Sequence, residues 1–324
     1  MRPSLTIVIP SFNRADLLRR CLASVRRHAP ADTEILVIDD ASPNHAVTRT
    51  AHAFAGVSVL RLKRRQGFCA AVNAGIRAAR HPIVELLNDD TEVTAGWADA
   101  ALAHFADSRI AAVAPLVLRE AAGERGASAP CCIDSAGDRY FLGGIAGKRG
   151  HGRQLDTAYL QGGEVFGASA SSAFYRRDVL LDVGAFPVEF GAYFEDVDVA
   201  FRLHWAGHRI VYEPASRVWH RVSASHGRPM RRLLEQQSCN EERVFWRNLP
   251  ARDLLRALPW HAAVLAAKAH RRWQHGELLP FLFGRLRVFG EIVDIVRHRR
   301  QMRRSNDCAR AAVWGVESRF WGQV

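Results

Sequence analysis

Two pairs of adjacent carboxylates follow short apolar runs in this 324-residue sequence: Asp89-Asp90 after Ile83–Leu87, and Asp39-Asp40 after Glu34–Ile38. Adjacent carboxylates repel each other unless a cation or water screens them. Mg²⁺ typically takes one or two carboxylates and completes its shell with water and substrate phosphates. Because nothing basic stands beside Asp89-Asp90 in the sequence, this pair is suited to a divalent ion that holds a diphosphate. The alternative is a capped turn, since Asp and Asn favour turns and helix starts.

A third acidic cluster, Glu195, Asp196 and Asp198, opens a predicted helix at Glu195–Ala206. Carboxylates in a first helical turn are favoured by the macrodipole, which explains them without any chemistry. A general base nevertheless needs such a group, a rigid carboxylate at the edge of a pocket that takes a proton from an attacking hydroxyl. Tyr193, just before the helix, could form an apolar wall beside an acceptor or belong to the core.

His220 ends a short apolar run. A lone histidine is more often structural than a ligand, but imidazole is a common metal ligand where carboxylates share the site. Zinc is disfavoured because the nearby histidines show no ligand spacing and no cysteine accompanies them.

Short β-rich runs alternate with helical patterns in the first third of the chain. The predicted strands are Thr6–Ile9, Glu34–Ile38, Val57–Leu62 and Ile83–Leu87, with helices at Ala15–His28, Val47–Phe54 and Phe68–Ala79 between them. This alternation predicts an α/β fold with a mainly parallel sheet flanked by helices. Ligands bind at the carboxyl ends of such strands. The segments Ser11–Arg14, Asp39-Asp40 and Asn88–Asp90 should therefore meet at one edge.

The rest of the chain is less regular before it becomes helical. The predicted elements are a helix at Gly96–Ala106, a strand at Ile110–Leu118, a long loop from Arg119 to Gly163, an ordered stretch at Val165–Tyr175, helices at Arg177–Val183 and Glu195–Ala206, and strands at Arg209–Tyr212 and Arg217–His220. Loops this long are often functional. From Arg228 onward the pattern is helical throughout. We therefore expect a domain of residues 1–227 and an α-helical C-terminal extension of residues 228–324.

Composition is that of an ordinary globular protein, with 48% hydrophobic and 24% charged residues. Residues 228–324 contain 19 basic and 9 acidic side chains, so they account for most of the formal charge of +12. The six cysteines form no CxxC pair, which favours reduced thiols and a cytoplasmic protein. We expect no signal peptide and no membrane-spanning helix. The P-loop and dinucleotide-binding glycine motifs are absent.

The basic extension contains an amphipathic segment, Leu278–Arg304. Its apolar residues can share a broad face, and they are Leu279, Leu282, Phe283, Leu286, Phe289, Ile292, Val293 and Val296. A cluster of arginines follows them. Such a segment could lie on an anionic membrane surface, which would make the chain a peripheral protein of the inner membrane face. The alternative is that it packs on its own domain.

Five motifs, in this order, resemble family 2 glycosyltransferases of the GT-A fold, in particular a rhamnosyltransferase-like branch. They are Ile7–Arg14, Val37–Ser42, Gly67–Gly75, Asn88–Asp90 and Phe194–Asp198. The resemblance covers roughly residues 4 to 226. It implies a GT-A-type, Rossmann-like sheet. Two positions depart from the pattern: Arg65 stands where many relatives have Asn, and Ser223 where a Gly usually follows the histidine.

The resemblance implies a role for each candidate residue. Asp90 would bind the Mg²⁺ or Mn²⁺ ion that bridges the donor diphosphate, and His220 would be a further ligand. Asp196 would be the general base. The donor nucleotide would be held by Pro10, Ser11, Asn13, Asp39, Asp40, Asn73 and Asp89, and the acceptor side would contain Glu195, Asp198 and Tyr193.

The implied reaction is a single in-line displacement that inverts the anomeric centre. The donor would be a UDP- or dTDP-type sugar, and the acceptor a hydroxyl of a glycan or lipid-linked molecule, as in cell-surface polysaccharide synthesis. One rival is a sugar nucleotidyltransferase, which would commonly show a glycine-rich, basic phosphate loop near residue 10. The other is a nucleic-acid-binding protein that uses the basic tail, but it leaves the strand-end aspartates unexplained, and no nucleic acid is expected as a partner.

Overall fold

Ten strands form the central sheet in a computed structural model that describes residues 3–119, 131–221, 230–304 and 316–317. In chain order the strands are β1 (Leu5–Ser11), β2 (Glu34–Asp39), β3 (Val57–Arg61), β4 (Ile83–Leu87), β5 (Thr91–Val93), β6 (Ile110–Arg119), β7 (Ile133–Ser135), β8 (Asp138–Phe141), β9 (Ile145–Lys148), β10 (Gly163–Glu164), β11 (Ser172–Arg176), β12 (Arg209–His220) and β13 (Val316–Glu317). Strands β8, β9 and β13 form a smaller second sheet.

Helices flank the central sheet and then form the C-terminal region. They are α1 (Ala15–His28), α2 (Ala46–His52), α3 (Phe68–Ala78), α4 (Trp97–Ala103), α5 (Arg177–Asp182), α6 (Glu195–Trp205), α7 (Met230–Asn248), α8 (Ala251–Gln274), α9 (Leu278–Arg287) and α10 (Ile292–Arg304). A 3₁₀ stretch, Val288–Glu291, joins α9 to α10.

The main path of the sheet is β10-β12-β6-β11-β4-β1-β2-β3, and all of its strands except β10 and β11 run in one direction. Strand β11 lies antiparallel between β4 and β6. The carboxyl ends of β1, β2, β4 and β12 therefore lie at the same edge. The mainly parallel α/β fold predicted from the sequence is confirmed.

Alternate residues of the buried strands pack into two separate apolar clusters, one on each face of the sheet. In β1, Val8 belongs to the cluster with α3, whereas Ile7 and Ile9 belong to the cluster with α1. Helix α3 approaches β1 so closely that a Cβ on Gly75 would clash with Val8. This packing places α3 directly against β1.

The prediction of a long loop from Arg119 to Gly163 is wrong for the described residues of that segment. Strand β7 pairs with β6, and β8 and β9 form an antiparallel hairpin. These strands have only three or four residues and carry polar side chains, so the sequence shows no alternation long enough to reveal them. Residues 120–130 lie outside the described residues. The two strands predicted at 209–220 are one strand, β12, with an irregularity between Glu213 and Arg217.

The C-terminal helices pack on one another and on the sheet domain. A Cβ on Gly284 of α9 would clash with the carbonyl oxygen of Glu235 in α7, so the two helices are in close contact. Arg285 of α9 forms ion pairs with Glu241 and Glu242 of α7. The predicted boundary between residues 227 and 228 lies outside the described residues, as does Ser223.

Each helix in the described part of the chain is too short or too polar to cross a lipid bilayer. The five cysteines that lie there are free thiols: Cys21, Cys69, Cys131, Cys132 and Cys239.

Candidate active site

The polar strand ends surround one cavity of about 1320 Å³. Nine of the predicted site residues line it, namely Pro10, Ser11, Asn13, Asp40, Asp89, Tyr193, Glu195, Asp196 and His220. Part of its wall comes from the C-terminal helices, including Gln237, Lys268 and Phe281. The other four predicted residues are buried and do not line the cavity; they are Asp39, Asn73, Asp90 and Asp198.

Asp89 and Asp90 share a basic neighbour, contrary to the expectation from the sequence. Nη1 of Arg14 lies 3.2 Å from Oδ1 of Asp89 and 3.2 Å from Oδ2 of Asp90. The hydroxyl of Ser11 donates to Asp89 at 2.6 Å. Burial raises the pKa of Asp89 to about 7, although Arg14 and Ser11 oppose the shift. The sequence could not show this contact because Arg14 follows a different strand.

His220 lies between two carboxylates. Its Nε2 is 3.2 Å from Oδ1 of Asp90, and its Nδ1 is 3.0 Å from Oδ2 of Asp134. Asp134 is fully buried and also contacts Nζ of Lys148 at 2.8 Å. Burial favours the neutral imidazole ring, but the contacts with the carboxylates of Asp134 and Asp90 outweigh it and raise the pKa of His220 to about 9. Asp134 therefore fixes the ring that faces Asp90.

The residues after β1 and β2 form another part of the cavity. The backbone amides of Gln66 and Gly67 donate to the carboxylate of Asp40 at 2.7 and 2.9 Å. Burial raises the pKa of Asp40, and these two hydrogen bonds oppose the shift. The guanidinium of Arg65 lies over the ring of Phe12, 3.8 Å from its centroid.

The carboxylate of Asp39 is hydrogen-bonded to other groups of the protein. Its carboxylate accepts hydrogen bonds from Arg61 at 2.5 Å, Thr48 at 2.7 Å and the amide of Ser42 at 2.8 Å. Burial opposes ionisation of Asp39, but these hydrogen bonds outweigh it and lower its pKa. The hydroxyl of Ser42 in turn accepts from the amide of Asn13. Asp39 thus orders the loops that carry Asp40 and Asn13.

Asp196 stands at the first turn of α6 with its carboxylate held by two backbone amides. Ala170 donates to Oδ2 at 3.0 Å and Val197 to Oδ1 at 2.9 Å. Burial raises the pKa of Asp196, and the two amides oppose the shift. Two further buried carboxylates, Glu195 and Asp138, line the same cavity. The arrangement gives Asp196 a fixed position and a greater proton affinity than an exposed aspartate has.

The loop before α6 has an uncommon backbone conformation. Tyr193 and Phe194 have φ angles of 72° and 66°, in the left-handed region that bulky residues rarely adopt. Helix α7 holds this loop, because the side-chain amide of Asn240 lies 2.9 Å from the carbonyl of Tyr193 and 3.0 Å from that of Ala192. The C-terminal region therefore helps to build the site around Asp196.

The side chains of Asn73 and Asp198 bind to other groups of the protein. The Asn73 amide pairs with the backbone of Phe186, accepting at 2.9 Å and donating at 2.7 Å. Asp198 is surrounded by Arg202 at 2.8 Å, Asn248 at 2.7 Å and Arg247 at 3.1 Å. Burial opposes its ionisation, but Arg247 and Arg202 lower the pKa of Asp198 to about 2. These contacts join α6 to α7.

A divalent metal fits beside Asp90 and His220. Among the described residues, nothing donates a well-aligned hydrogen bond to the buried Oδ1 of Asp90, the oxygen that His220 faces. A carboxylate and an imidazole are acceptable ligands for such ions. No cluster of three or more His, Cys, Asp or Glu side chains that could hold a metal occurs in the described ranges. Water and donor phosphates would therefore have to supply the other ligands, as they commonly do for Mg²⁺.

Sequence reasoning missed four groups near this site, which are Arg14, Asp134, Asp138 and Lys148. Three of them belong to the segment that was predicted as a loop. Arg14 stands within the first motif, and its distance from the aspartates along the chain concealed its contact with them.

The fold is that of GT-A glycosyltransferases. Residues 6–184 match the family described as Glycosyl transferase family 2, and the chain belongs to that family. The pre-mycofactocin glycosyltransferase of Mycobacterium tuberculosis (strain ATCC 25618 / H37Rv) is 31% identical over 219 residues, which are 66% of this chain and 42% of the relative. The match thus spans less than half of that relative's length.

Two solved structures share the fold. GalNAc-T7 with UDP, GalNAc and Mn²⁺ has a TM-score of 0.59 at 17% identity, over 75% of this chain and 47% of the other. The mannosyltransferase PcManGT of Pyrobaculum calidifontis, with GDP-Man and Mn²⁺, has a TM-score of 0.54 at 20% identity, over 94% and 84% of the two chains.

Proposed function

We propose that this glycosyltransferase moves a sugar from a nucleotide-diphosphate donor to a hydroxyl group of a glycan or lipid-linked acceptor, with inversion of the anomeric centre. The observation that carries the proposal is that one cavity is lined both by strand-end residues such as Asp40, Asp89 and His220 and by Asp196. The nucleotide, the metal-bound diphosphate and the attacking hydroxyl could then occupy one space.

The donor end of the cavity is assigned to the strand ends. Asp40, Ser11, Asn13 and Pro10 would recognise the base and ribose, with Asp89 beside the donor sugar or ribose. Asp39 and Asn73 would act by holding this pocket, because their polar groups are already bonded to the protein. UDP and GalNAc in the GalNAc-T7 structure and GDP-Man in the PcManGT structure support a donor of this chemical class. We expect a UDP- or dTDP-type sugar.

Asp90 and His220 would hold Mg²⁺ or Mn²⁺, and Asp134 would keep the imidazole ring in position. When bound, the metal neutralises the negative charge that develops on the departing diphosphate. Mn²⁺ in both solved relatives supports a divalent ion here.

Asp196 would act as the general base. The acceptor oxygen attacks the anomeric carbon as the bond from that carbon to the diphosphate oxygen breaks, and the electron pair leaves with the diphosphate. The acceptor proton passes to Asp196, whose raised pKa makes it a better proton acceptor than an ordinary aspartate. Tyr193 and Glu195 line the cavity beside it and are assigned to the acceptor side. Asp198 supports the helix.

The reaction would take place in the cytoplasm or at the inner face of the membrane. The free thiols of the described cysteines support a reducing compartment. We also propose that this reaction serves the synthesis of a cell-surface polysaccharide.

A donor panel tests the proposal. UDP-, dTDP- and GDP-sugars are each added to the full chain with Mg²⁺ or Mn²⁺, and the melting temperature and the slow hydrolysis of the donor are measured. We expect a metal-dependent rise in the melting temperature with one nucleotide class. That donor should also be hydrolysed to a sugar of inverted configuration. Absence of any stabilisation by all three classes would overturn the proposal. Release of diphosphate from a nucleoside triphosphate and a sugar phosphate would instead identify a nucleotidyltransferase.

A further inference from the structure

The segment Leu278–Arg304 has two apolar faces, and the described residues cover only one of them. Its covered face includes Phe281, Gly284 and Val288, which are buried on the side toward α7. Its other face consists of eight large apolar side chains that are 39 to 66% exposed: Leu279, Leu282, Phe283, Leu286, Phe289, Ile292, Val293 and Val296. We call these eight residues the apolar face.

The apolar face forms a continuous stripe. Its members follow one another at intervals of one to three residues along a helical segment that runs without a break, which places them on one side of it. From Leu279 to Val296 the stripe is about 26 Å long at 1.5 Å per residue. A surface helix normally presents polar residues on the side away from its protein. An exposed apolar stripe of this length indicates a surface that binds a partner.

Charge on the same segment indicates which partner. Residues 278–304 contain seven arginines and two acidic residues, and one of the arginines, Arg285, is buried in ion pairs with α7. Both acids are already paired, Glu291 with Arg243 and Asp294 with Arg297. Arg287 and Arg300 are exposed. A second copy docked through this segment would bring like charges together at a two-fold interface. An anionic lipid surface offers both apolar chains and negative headgroups.

We propose that residues 278–304 dock on a bilayer that contains anionic lipids, with the apolar face inserted at the boundary between headgroups and acyl chains. Trp273, exposed shortly before α9, belongs to a residue type that favours this boundary. Phe281 lines the catalytic cavity from the same helix, so docking brings a wall of the cavity close to the membrane. The inference rests on the surface and not on the proposed reaction.

Flotation of the full chain with vesicles tests the inference. Phosphatidylcholine vesicles with and without phosphatidylglycerol are mixed with the protein in the absence of any nucleotide sugar. We expect the protein to bind only to the anionic vesicles. The lipid concentration at which half of the protein is bound should rise as the salt concentration is raised. The triple variant Phe283→Ser/Phe289→Ser/Val293→Ser should need about tenfold more lipid or fail to bind. All three positions are exposed, so the melting temperature should change little.

A matched control removes exposed apolar side chains elsewhere. Leu160→Ser/Val188→Ser changes residues that are 45% and 54% exposed outside the segment, and it should bind vesicles as the unaltered chain does. Failure of the unaltered chain to bind anionic vesicles, or equal binding by the triple variant, would overturn the inference. So would a dimer in analytical ultracentrifugation that the triple variant dissociates while neither protein binds lipid. Donor binding is measured separately, so failure here leaves the proposed function standing.

Discussion

Nδ1 of His220 lies 3.0 Å from Oδ2 of Asp134, while Nε2 of the same ring lies 3.2 Å from Asp90. A buried carboxylate thus fixes the orientation of an imidazole whose other nitrogen faces the proposed metal ligand. Such outer carboxylates raise the basicity of a ligating histidine and restrict its ring. The strand β7 that carries Asp134 consequently takes part in the site, although no motif marks it.

Replacing Asp134 should weaken metal binding. Asp134→Ala removes the contact with His220 and should reduce Mn²⁺ affinity about 10–100-fold. Asp134→Asn can still accept a hydrogen bond from Nδ1 and should retain more of the affinity. Electron paramagnetic resonance titration of free Mn²⁺, with UDP present, measures binding without any turnover. Asp16→Ala, at an exposed site, is the control. Unchanged Mn²⁺ affinity in a folded Asp134→Ala protein would exclude this role.

Asp196→Asn should stop transfer while donor binding persists. A general base typically contributes about 10²–10⁴-fold, so kcat should fall by that factor. Isothermal titration with the donor should give an unchanged Kd. Because the pKa of Asp196 is raised and the base must be ionised, the acidic limb of kcat/KM should lie above the pH of about 4 expected for an ordinary aspartate. Full activity in the Asn variant would refute the assignment.

Asp198→Ala should lower the free energy of unfolding and leave kcat of the folded protein largely unchanged. Removing this carboxylate leaves Arg202 and Arg247 without their shared buried partner, a loss of about 3–5 kcal/mol. Because its pKa is lowered to about 2, Asp198 stabilises the fold above its unfolded pKa of about 4, and this contribution is lost as the pH falls toward 2. Urea unfolding measures the loss. A variant of unchanged stability but low kcat would instead indicate direct contact with the acceptor.

The sequence was sufficient for the features that depend on local pattern. Helix α1 begins and ends where its apolar stripe predicts, and β4 matches its apolar run residue for residue. The parallel order of β1, β2 and β4 then brings their polar ends together, because parallel strands share a carboxyl edge.

Contacts between distant parts of the chain could not be predicted in this way. Arg14 reaches Asp89 and Asp90 across 75 residues or more, and nothing in the local pattern encodes that distance. Asp134 lies in a three-residue strand, too short for a recognisable period. Asp39 and Asp40 are neighbours in sequence, yet one is bonded to Arg61 and the other lines the cavity, which only the fold decides.

Glu85 of β4 provides a test of stability against pH. Its buried carboxyl group accepts hydrogen bonds from Trp97 at 3.1 Å and Ser172 at 3.1 Å, but burial outweighs them and raises the pKa of Glu85 to about 8. The unfolded chain loses this proton near pH 4, whereas the folded chain retains it until about pH 8. The contribution of Glu85 to stability should therefore fall as the pH rises through this window and change no further above it.

Glu85→Gln retains a hydrogen-bond acceptor and cannot ionise. We expect its melting temperature to exceed that of the unaltered chain by several degrees at pH 8, and the difference to shrink steadily as the pH is lowered to 5. Differential scanning fluorimetry across this range measures both curves. Glu164→Gln, at a half-exposed position in an ion pair with Arg209, should show no such trend, because surface ion pairs contribute little. Parallel curves for the Glu85 variant and the unaltered chain would mean that the buried carboxyl is ionised in the folded protein, with a cation supplying the balancing charge.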